Sequence, residues 1–139
     1  MKNLFLDTNI IIDFLANRRP FSDDAAKLLS LAMAGEARLF ISAVSYNNIY
    51  YILRQFNSNS EVLKLLNQLS GYADIVDVTQ AVIKKSLKTS LFADFEDAIQ
   101  YYSALSIRAL TCIVTRNTRD FRKSEVPVMS SKEALQLFM

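Results

Sequence analysis

Short apolar runs alternate with amphipathic stretches of helical period along the whole 139-residue chain. The first run, Lys2-Asn3-Leu4-Phe5-Leu6, stops at Asp7-Thr8-Asn9 and reads as a buried strand that ends in polar groups. Ile10 to Leu15 follows as a helix packed back on that strand. Ser22 is the expected N-cap of a helix reaching about Ala34, with Asp23 and Asp24 in its first turn and a stripe of Ala25, Leu28, Leu29 and Ala32. A second strand, Arg38 to Ile41, ends at Ser42. A helix from about Val44 to Phe56 carries its core stripe on Ile49, Ile52, Leu53 and Phe56. The turn at 57–60 leads to a helix striped by Val62, Leu65, Leu66 and Leu69 and stopped at Gly71. Asp74 to Val78 is the third strand, and Thr79 caps a helix to about Thr89. Another helix opens at Ala93-Asp94 and runs to about Ile107. Leu110 to Val114 is the fourth strand, ending at Thr115-Arg116-Asn117. Val126 to Met129 is a last short strand before a terminal helix capped by Ser130 or Ser131. Strands alternating with helices predict one α/β domain over 1–139, a three-layer α/β/α sandwich around a parallel sheet of four to five strands.

In such sheets ligands sit beyond the carboxyl ends of the strands. The polar strand ends are Asp7-Thr8-Asn9, Ser42, Asp77 and Thr115-Arg116-Asn117, and Asp94-Phe95-Glu96-Asp97 opens a helix beside them. With Ala98, Tyr102 and Leu105 as the buried stripe, about 100° per residue groups Asp94 and Asp97 on one flank and turns Glu96 to solvent. The same reasoning puts Asn48 at the edge of a buried face and Asn47 opposite. Asp77 reads as structural, and Lys84, Lys85 and Lys88 as a solvated helix face.

Composition narrows the chemistry. There is no histidine and one cysteine, Cys112, inside an apolar run. Zinc sites of Cys/His type, Ser-His-Asp triads and histidine acid–base catalysis are therefore excluded. A metal here would be held by carboxylate, amide and hydroxyl oxygens, which suits Mg²⁺ or Mn²⁺. The net charge of +2 neither announces nor excludes a nucleic-acid binder. No stretch reads as a signal peptide or membrane span, so a soluble chain in a reducing cytoplasm is expected.

The pieces L-F-L-D-T-N-I-I-I-D at 4–13, I-S-A-V-S-Y-N-N-I-Y-Y at 41–51, D-F-E-D-A-I-Q at 94–100 and V-T-R-N-T-R-D-F at 114–121 resemble, in this order, the PIN-domain nucleases. They are most similar to the small VapC-like toxins of toxin–antitoxin pairs. The resemblance implies a divalent-metal-dependent ribonuclease. Asp7, Asp97 and Asp120 would be its catalytic carboxylates, and Asp94 would join them as a metal ligand. Thr8, Asn9, Thr115 and Asn117 would orient the carboxylates, with Asn117 an alternative to Asp120 for the fourth corner. Asn48 stands where the family usually has a glutamate, bringing an amide oxygen without charge. Arg116, Arg119 and Arg122, with Lys123, would grip the RNA backbone, helped by Arg18 and Arg19. The resemblance also implies a homodimer and a small antitoxin, for which Tyr46, Tyr50 and Tyr51 offer contact surface.

Two other readings stand beside this one. A haloacid-dehalogenase-type phosphatase needs a second acid two residues after the first, where this chain has Asn9. A PIN fold weakened by Asn48 would bind RNA or a partner protein without cutting.

Overall fold

A computed structural model describes residues 1–139. Its elements run β1 (Lys2–Leu6), α1 (Thr8–Leu15), α2 (Ser22–Met33), β2 (Ala37–Ser42), α3 (Ala43–Leu53), α4 (Asn59–Ser70), β3 (Ala73–Val76), α5 (Gln80–Lys88), α6 (Phe95–Leu105), β4 (Cys112–Val114), β5 (Val128–Met129) and α7 (Ser131–Leu135). Single 3₁₀ turns lie at Thr118–Phe121 and Gln136–Phe138. The five strands are all parallel, in the order β3-β2-β1-β4-β5.

Alternation along the central strands divides the core in two. Leu4 and Leu6 point to one side, where Cys112 and Val114 join them against Ile10, Leu28 and Ile49. Phe5 and Ile113 point to the other, against Tyr101, Ala104 and Phe121. Leu4, Phe5 and Leu6 are all fully buried, which is why β1 reads as a continuous apolar run rather than an alternating one. Two covered faces make three layers, as the periodicity predicts.

The order also locates a switch point. From β1 the chain builds outward through β2 to β3, then returns across the sheet to β4 and β5. The neighbours β1 and β4 therefore belong to opposite halves of the winding, and a crevice opens beyond their carboxyl ends. Leu6 pairs with Val114, so Asp7 and Thr115 leave the sheet side by side.

Several local expectations need correction. Ser22 does not cap α2; it is buried inside the first turn, and Phe21 precedes it without a side-chain cap. The α3 helix stops at Leu53, where the Asn57 amide and the backbone N–H of Asn57 both bond the Leu53 carbonyl. Phe56 lies beyond that stop and is 79% exposed, so it is not a core residue. The third strand pairs only from Leu39↔Ala73 to Ser42↔Val76, leaving Asp77 exposed past its end. Of the three tyrosines on α3, only Tyr51 is exposed; Tyr46 and Tyr50 pack against the core. Ser130 is the cap of α7, in a reciprocal pair with Glu133.

The phase of α6 is the correction with the largest consequence. Its buried residues are Ala98, Ile99, Gln100, Tyr101, Ser103 and Ala104, while Leu105 is 42% exposed and Tyr102 only half-buried. The helix is covered by α5, β2 and the 118–121 turn together. Its inner side sets small and polar residues beside Ile99 and Tyr101 while Leu105 faces out, so side-chain size misreports which side is inward.

Candidate active site

Asp7 sits at the centre of the crevice. It is 6% exposed and serves as N-cap of α1, Oδ1 accepting from the Thr8 N–H at 2.8 Å. The Gln100 amide donates to the same oxygen at 3.0 Å. Oδ2 accepts from the Thr115 hydroxyl at 2.8 Å and, at 3.4 Å, from the Asn9 amide. Four donors from β1's end, α6 and the β4 end fix one carboxylate. Bonds of this kind fix the orientation of the carboxylate.

Gln100 was not singled out by sequence reasoning. It is fully buried and its amide also donates to Ser45 Oγ at 3.0 Å and Thr8 Oγ1 at 3.3 Å, while Oε1 has no partner. The signal was present, since Gln100 follows Asp97 by three residues and Glu96 by four, placing all three on one helical face. Choosing Tyr102 over Tyr101 for the stripe hid it. Thr8 and Ser45 complete the network through a 2.7 Å hydroxyl pair.

The acids of α6 gather in front of Asp7. Asp94 is the N-cap, accepting from the Asp97 N–H at 3.1 Å. Asp94, Glu96, Asp97, Asn117, Asp120 and Arg122 line a cavity of about 360 Å³. A smaller one of about 210 Å³ is lined by Asp7, Thr8, Asn9, Glu96, Asp97 and Asn117, with Arg18 at its edge. Glu96, Asp97 and Asn117 belong to both, so the two form one acidic cleft. Asp120 is held there by the 118–121 turn, anchored by buried Phe121 against Phe92.

Glu96 is exposed, as expected of a surface acid, but it also lines both parts of the cleft. It stands at the rim of the cleft and accepts a hydrogen bond from the Asn48 amide. Burial, Asp7 and Asp94 all raise its pKa, and the Asn48 bond opposes them. Asn48 faces the cleft while Asn47 is exposed. Crowding is greatest at Asp97, whose pKa is pushed up to about 7 by burial first and then by Asp7, Asp94, Asp120 and Glu96. Carboxylates that repel one another this strongly are a setting that a cation relieves. The donors are all oxygens or amides, which fits a hard divalent ion. No three carboxylates already close around one point, so a bound ion would draw them together.

Arg116 has a different place from the other cations. Its Nε donates to Asp13 Oδ2 at 2.7 Å, and its guanidinium lies 4.3 Å from the centre of the Phe21 ring. Asp13, the last residue of the first motif, is 1% exposed; burial raises its pKa, and Arg116 pulls it back. The Arg116 N–H also reaches Asn9 Oδ1 at 3.3 Å. Arg116 is thus anchored to the protein through Nε while the residue stays exposed. Sequence reasoning missed Asp13, although an acid inside an apolar helical run is a signal that a cation must meet it. Arg119 is exposed beside the cleft.

A family model described as PIN domain matches residues 3–119. Ribonuclease VapC1 of Aquifex aeolicus (strain VF5) is 21% identical over 136 residues, which is 95% of this chain and 92% of the relative. Among solved structures, DNA-bound VapBC from Salmonella typhimurium superposes with a TM-score of 0.72 at 19% identity, covering 94% of this chain and 99% of that one. A toxin–antitoxin complex from Klebsiella pneumoniae gives 0.67 at 23% identity, covering 92% and 97%. The matched segment contains every acid of the cleft except Asp120, which follows its last residue, and on that match the chain belongs to the PIN-domain family.

Proposed function

We propose that the domain is a divalent-metal-dependent endoribonuclease acting as the toxin of a toxin–antitoxin pair. The observation that carries this reading is the acidic cleft in front of an immobilised Asp7, with Asp97 raised to about 7 by its acidic neighbours. The family match and the relatives named VapC and VapBC support it.

Asp7 and Asp97 would hold Mg²⁺ or Mn²⁺, with Asp94 and Asp120 at the mouth of the cleft. Glu96, aligned by the Asn48 amide, adds the charge that Asn48 lacks. When bound, the ion would offset the negative potential of the cleft, lower the pKa of an attacking water and stabilise charge on the transferring phosphate. Thr8, Gln100, Thr115 and Asn9 keep Asp7 in one orientation, so no reorganisation is needed when a substrate arrives. Asn117 bridges the two parts of the cleft. Arg119 and Arg122, with Arg18 at the inner edge, would meet the RNA backbone. Hydrolysis leaves a 5′-phosphate and a 3′-hydroxyl. No helix is long and apolar enough to cross a membrane. A homodimer and a small antitoxin complete the assembly, with Tyr51 on the exposed side of α3 available for contact.

The test compares divalent-dependent cleavage of total RNA by the wild type, Asp7→Asn and Asp97→Asn. Loss of cleavage in both variants is expected. Equal cleavage by all three refutes the assignment, and none by the wild type supports a binding module that does not cut.

A further inference from the structure

We propose that the cavity behind Arg116 is a second phosphate subsite for single-stranded RNA, holding the backbone beside the scissile bond. This rests on the ribonuclease reading and adds residues that it does not use. The cavity measures about 410 Å³, and its lining includes Phe21, Asp24, Arg116, Asn117, Ser131 and Lys132. Asn117 also lines both parts of the acidic cleft, so a strand leaving the cleft enters this cavity directly.

Arg116 is prepared for an anion. Its Nε is fixed by buried Asp13 and its plane rests on Phe21, while its terminal nitrogens make no hydrogen bond within the chain. Asp13 Oδ1 has no partner either, so the buried carboxylate serves to orient this one guanidinium. A planar fork held on an aromatic ring by a carboxylate presents its two remaining nitrogens in a single direction, which suits phosphate. Lys132, on α7, supplies a second positive charge and makes no ion pair. Phe21 keeps 41% of its surface exposed, enough for a base attached to the held phosphate to stack on it. Asp24 is the one acid on the lining, against two cations. The contrast with the neighbouring cleft is chemical: there acids predominate and a phosphate needs a metal ion, and here Arg116 and Lys132 supply positive charge, offset in part by Asp13 and Asp24.

Binding is measured with a labelled short single-stranded RNA in EDTA, which prevents cutting and isolates the subsite, by anisotropy over a series of salt concentrations. Lys132→Ala, on an exposed helix position, should raise Kd about fivefold and reduce the slope of log Kd against log salt by about 0.7, one phosphate contact. Arg116→Lys should weaken binding while leaving the slope unchanged, since it keeps the charge and loses the fork. Asp13→Asn should weaken binding as Arg116→Lys does. Lys84→Ala, on the far α5 surface, is the control. If Lys132→Ala and Lys84→Ala bind alike, the subsite is overturned. Competition by excess inorganic phosphate as strong as that by unlabelled RNA also overturns it, because the site is then a free-phosphate site. A labelled glutamate-rich peptide that binds through Lys132 where RNA does not overturns it in favour of an acidic protein partner. RNA cleavage in Mn²⁺ separates the two readings. Cleavage with Lys132-insensitive binding fails the subsite alone, and Lys132-dependent binding without cleavage fails the nuclease alone.

Discussion

Asp97→Asn should stabilise the metal-free protein while abolishing its response to divalent ions. In the folded chain the Asp97 pKa rises from 3.8 to about 7, burial being the largest cause and the four neighbouring acids the rest. A raised carboxyl means that the fold prefers the protonated form. Its stabilising effect is complete below about pH 4 and is lost as pH climbs through about 7. Three pH units at 1.36 kcal/mol each set a ceiling of about 4 kcal/mol. Asp97 is only half-buried, so solvent screening brings the realistic figure to about 2 kcal/mol. The N-terminal turn of α6 works in the opposite direction, favouring a negative charge by about 0.5 kcal/mol. Repulsion wins by the difference. At about pH 8 in EDTA the variant should gain about 1.5 kcal/mol, or roughly 3–8 °C in a domain of this size. Near pH 4 the two proteins should coincide.

Urea unfolding across that pH range measures the difference directly, with unchanged m-values as the check that the unfolded states are comparable. Mn²⁺ should then reverse the order. A ligand at a hundred times its Kd adds about 2.7 kcal/mol to the protein that binds it. The wild type has the complete site and should overtake the variant. Two results refute the reasoning. One is a variant no more stable than the wild type at high pH; the other is an advantage that does not shrink toward pH 4.

Four further outcomes follow from the same geometry. Gln100→Leu removes the amide that holds Asp7, and should reduce cleavage about 10–100-fold while thermal unfolding still shows a folded protein. Arg116→Ala leaves Asp13 buried and unpaired, costing about 3 kcal/mol by urea unfolding at neutral pH. The loss should narrow in acid, where Asp13 can protonate. Glu96→Gln should weaken Mn²⁺ affinity by calorimetry, and adding Asn48→Glu should restore it, because the two side chains face each other; an unaffected Glu96→Gln would return that acid to the solvated surface. Phe56→Ala, at a 79% exposed position, should change stability by less than about 0.5 kcal/mol, whereas Phe5→Ala in the central strand should cost about 3–5 kcal/mol.

The layers of the fold were legible because burial writes itself into hydrophobic period. A strand covered on both faces is apolar throughout, and Leu4-Phe5-Leu6 could hardly be anything else. Helix ends were legible where a side chain makes them, as at Thr79 and Ser130, and less so at Ser22, which does not cap its helix, and at Ser58, a cap inside what reads as a turn. Asn48 could be separated from Asn47 because α3 has one broad apolar face. The same method failed on α6 for a physical reason. There the inward side mixes Ile99 and Tyr101 with Ala98, Gln100, Ser103 and Ala104, small or polar residues that carry little hydrophobic signal, while Leu105 is large and points out. An error of one residue in phase moved Glu96 from the cleft to solvent and left Gln100 unnoticed.

That failure shows what kind of residue a site of this type requires. Asp7 can be found from sequence because it ends a strand, and Asp97 because acids cluster around it. Gln100 and Asp13 act through other side chains, and neither type is informative until the partner is known. Gln100 lies 93 residues from the carboxylate it orients, and Asp13 lies 103 from the guanidinium it fixes. The Asp13–Arg116 partnership exists because β4 returns beside β1 at the switch point, bringing the last motif against the first, and the Gln100–Asp7 partnership because α6 packs Tyr101 and Ala104 against Phe5 and Ile113 of those strands. The acids are in this sense local features of the chain, whereas their orientation is a property of the topology. A variant that keeps every acid but disturbs the β1–β4 junction should therefore lose activity before it loses metal affinity. Thr115→Val is the direct case, since it preserves shape and deletes the 2.8 Å bond to Asp7, together with the bonds that the hydroxyl accepts from the Asn117 N–H at 3.1 Å and the Asn9 amide at 3.4 Å. Calorimetry should show Mn²⁺ binding within about threefold of the wild type while RNA cleavage falls at least tenfold, which leaves at least about 0.7 kcal/mol to orientation. Equal losses in both would mean that Thr115 holds the ion itself rather than the carboxylate beside it.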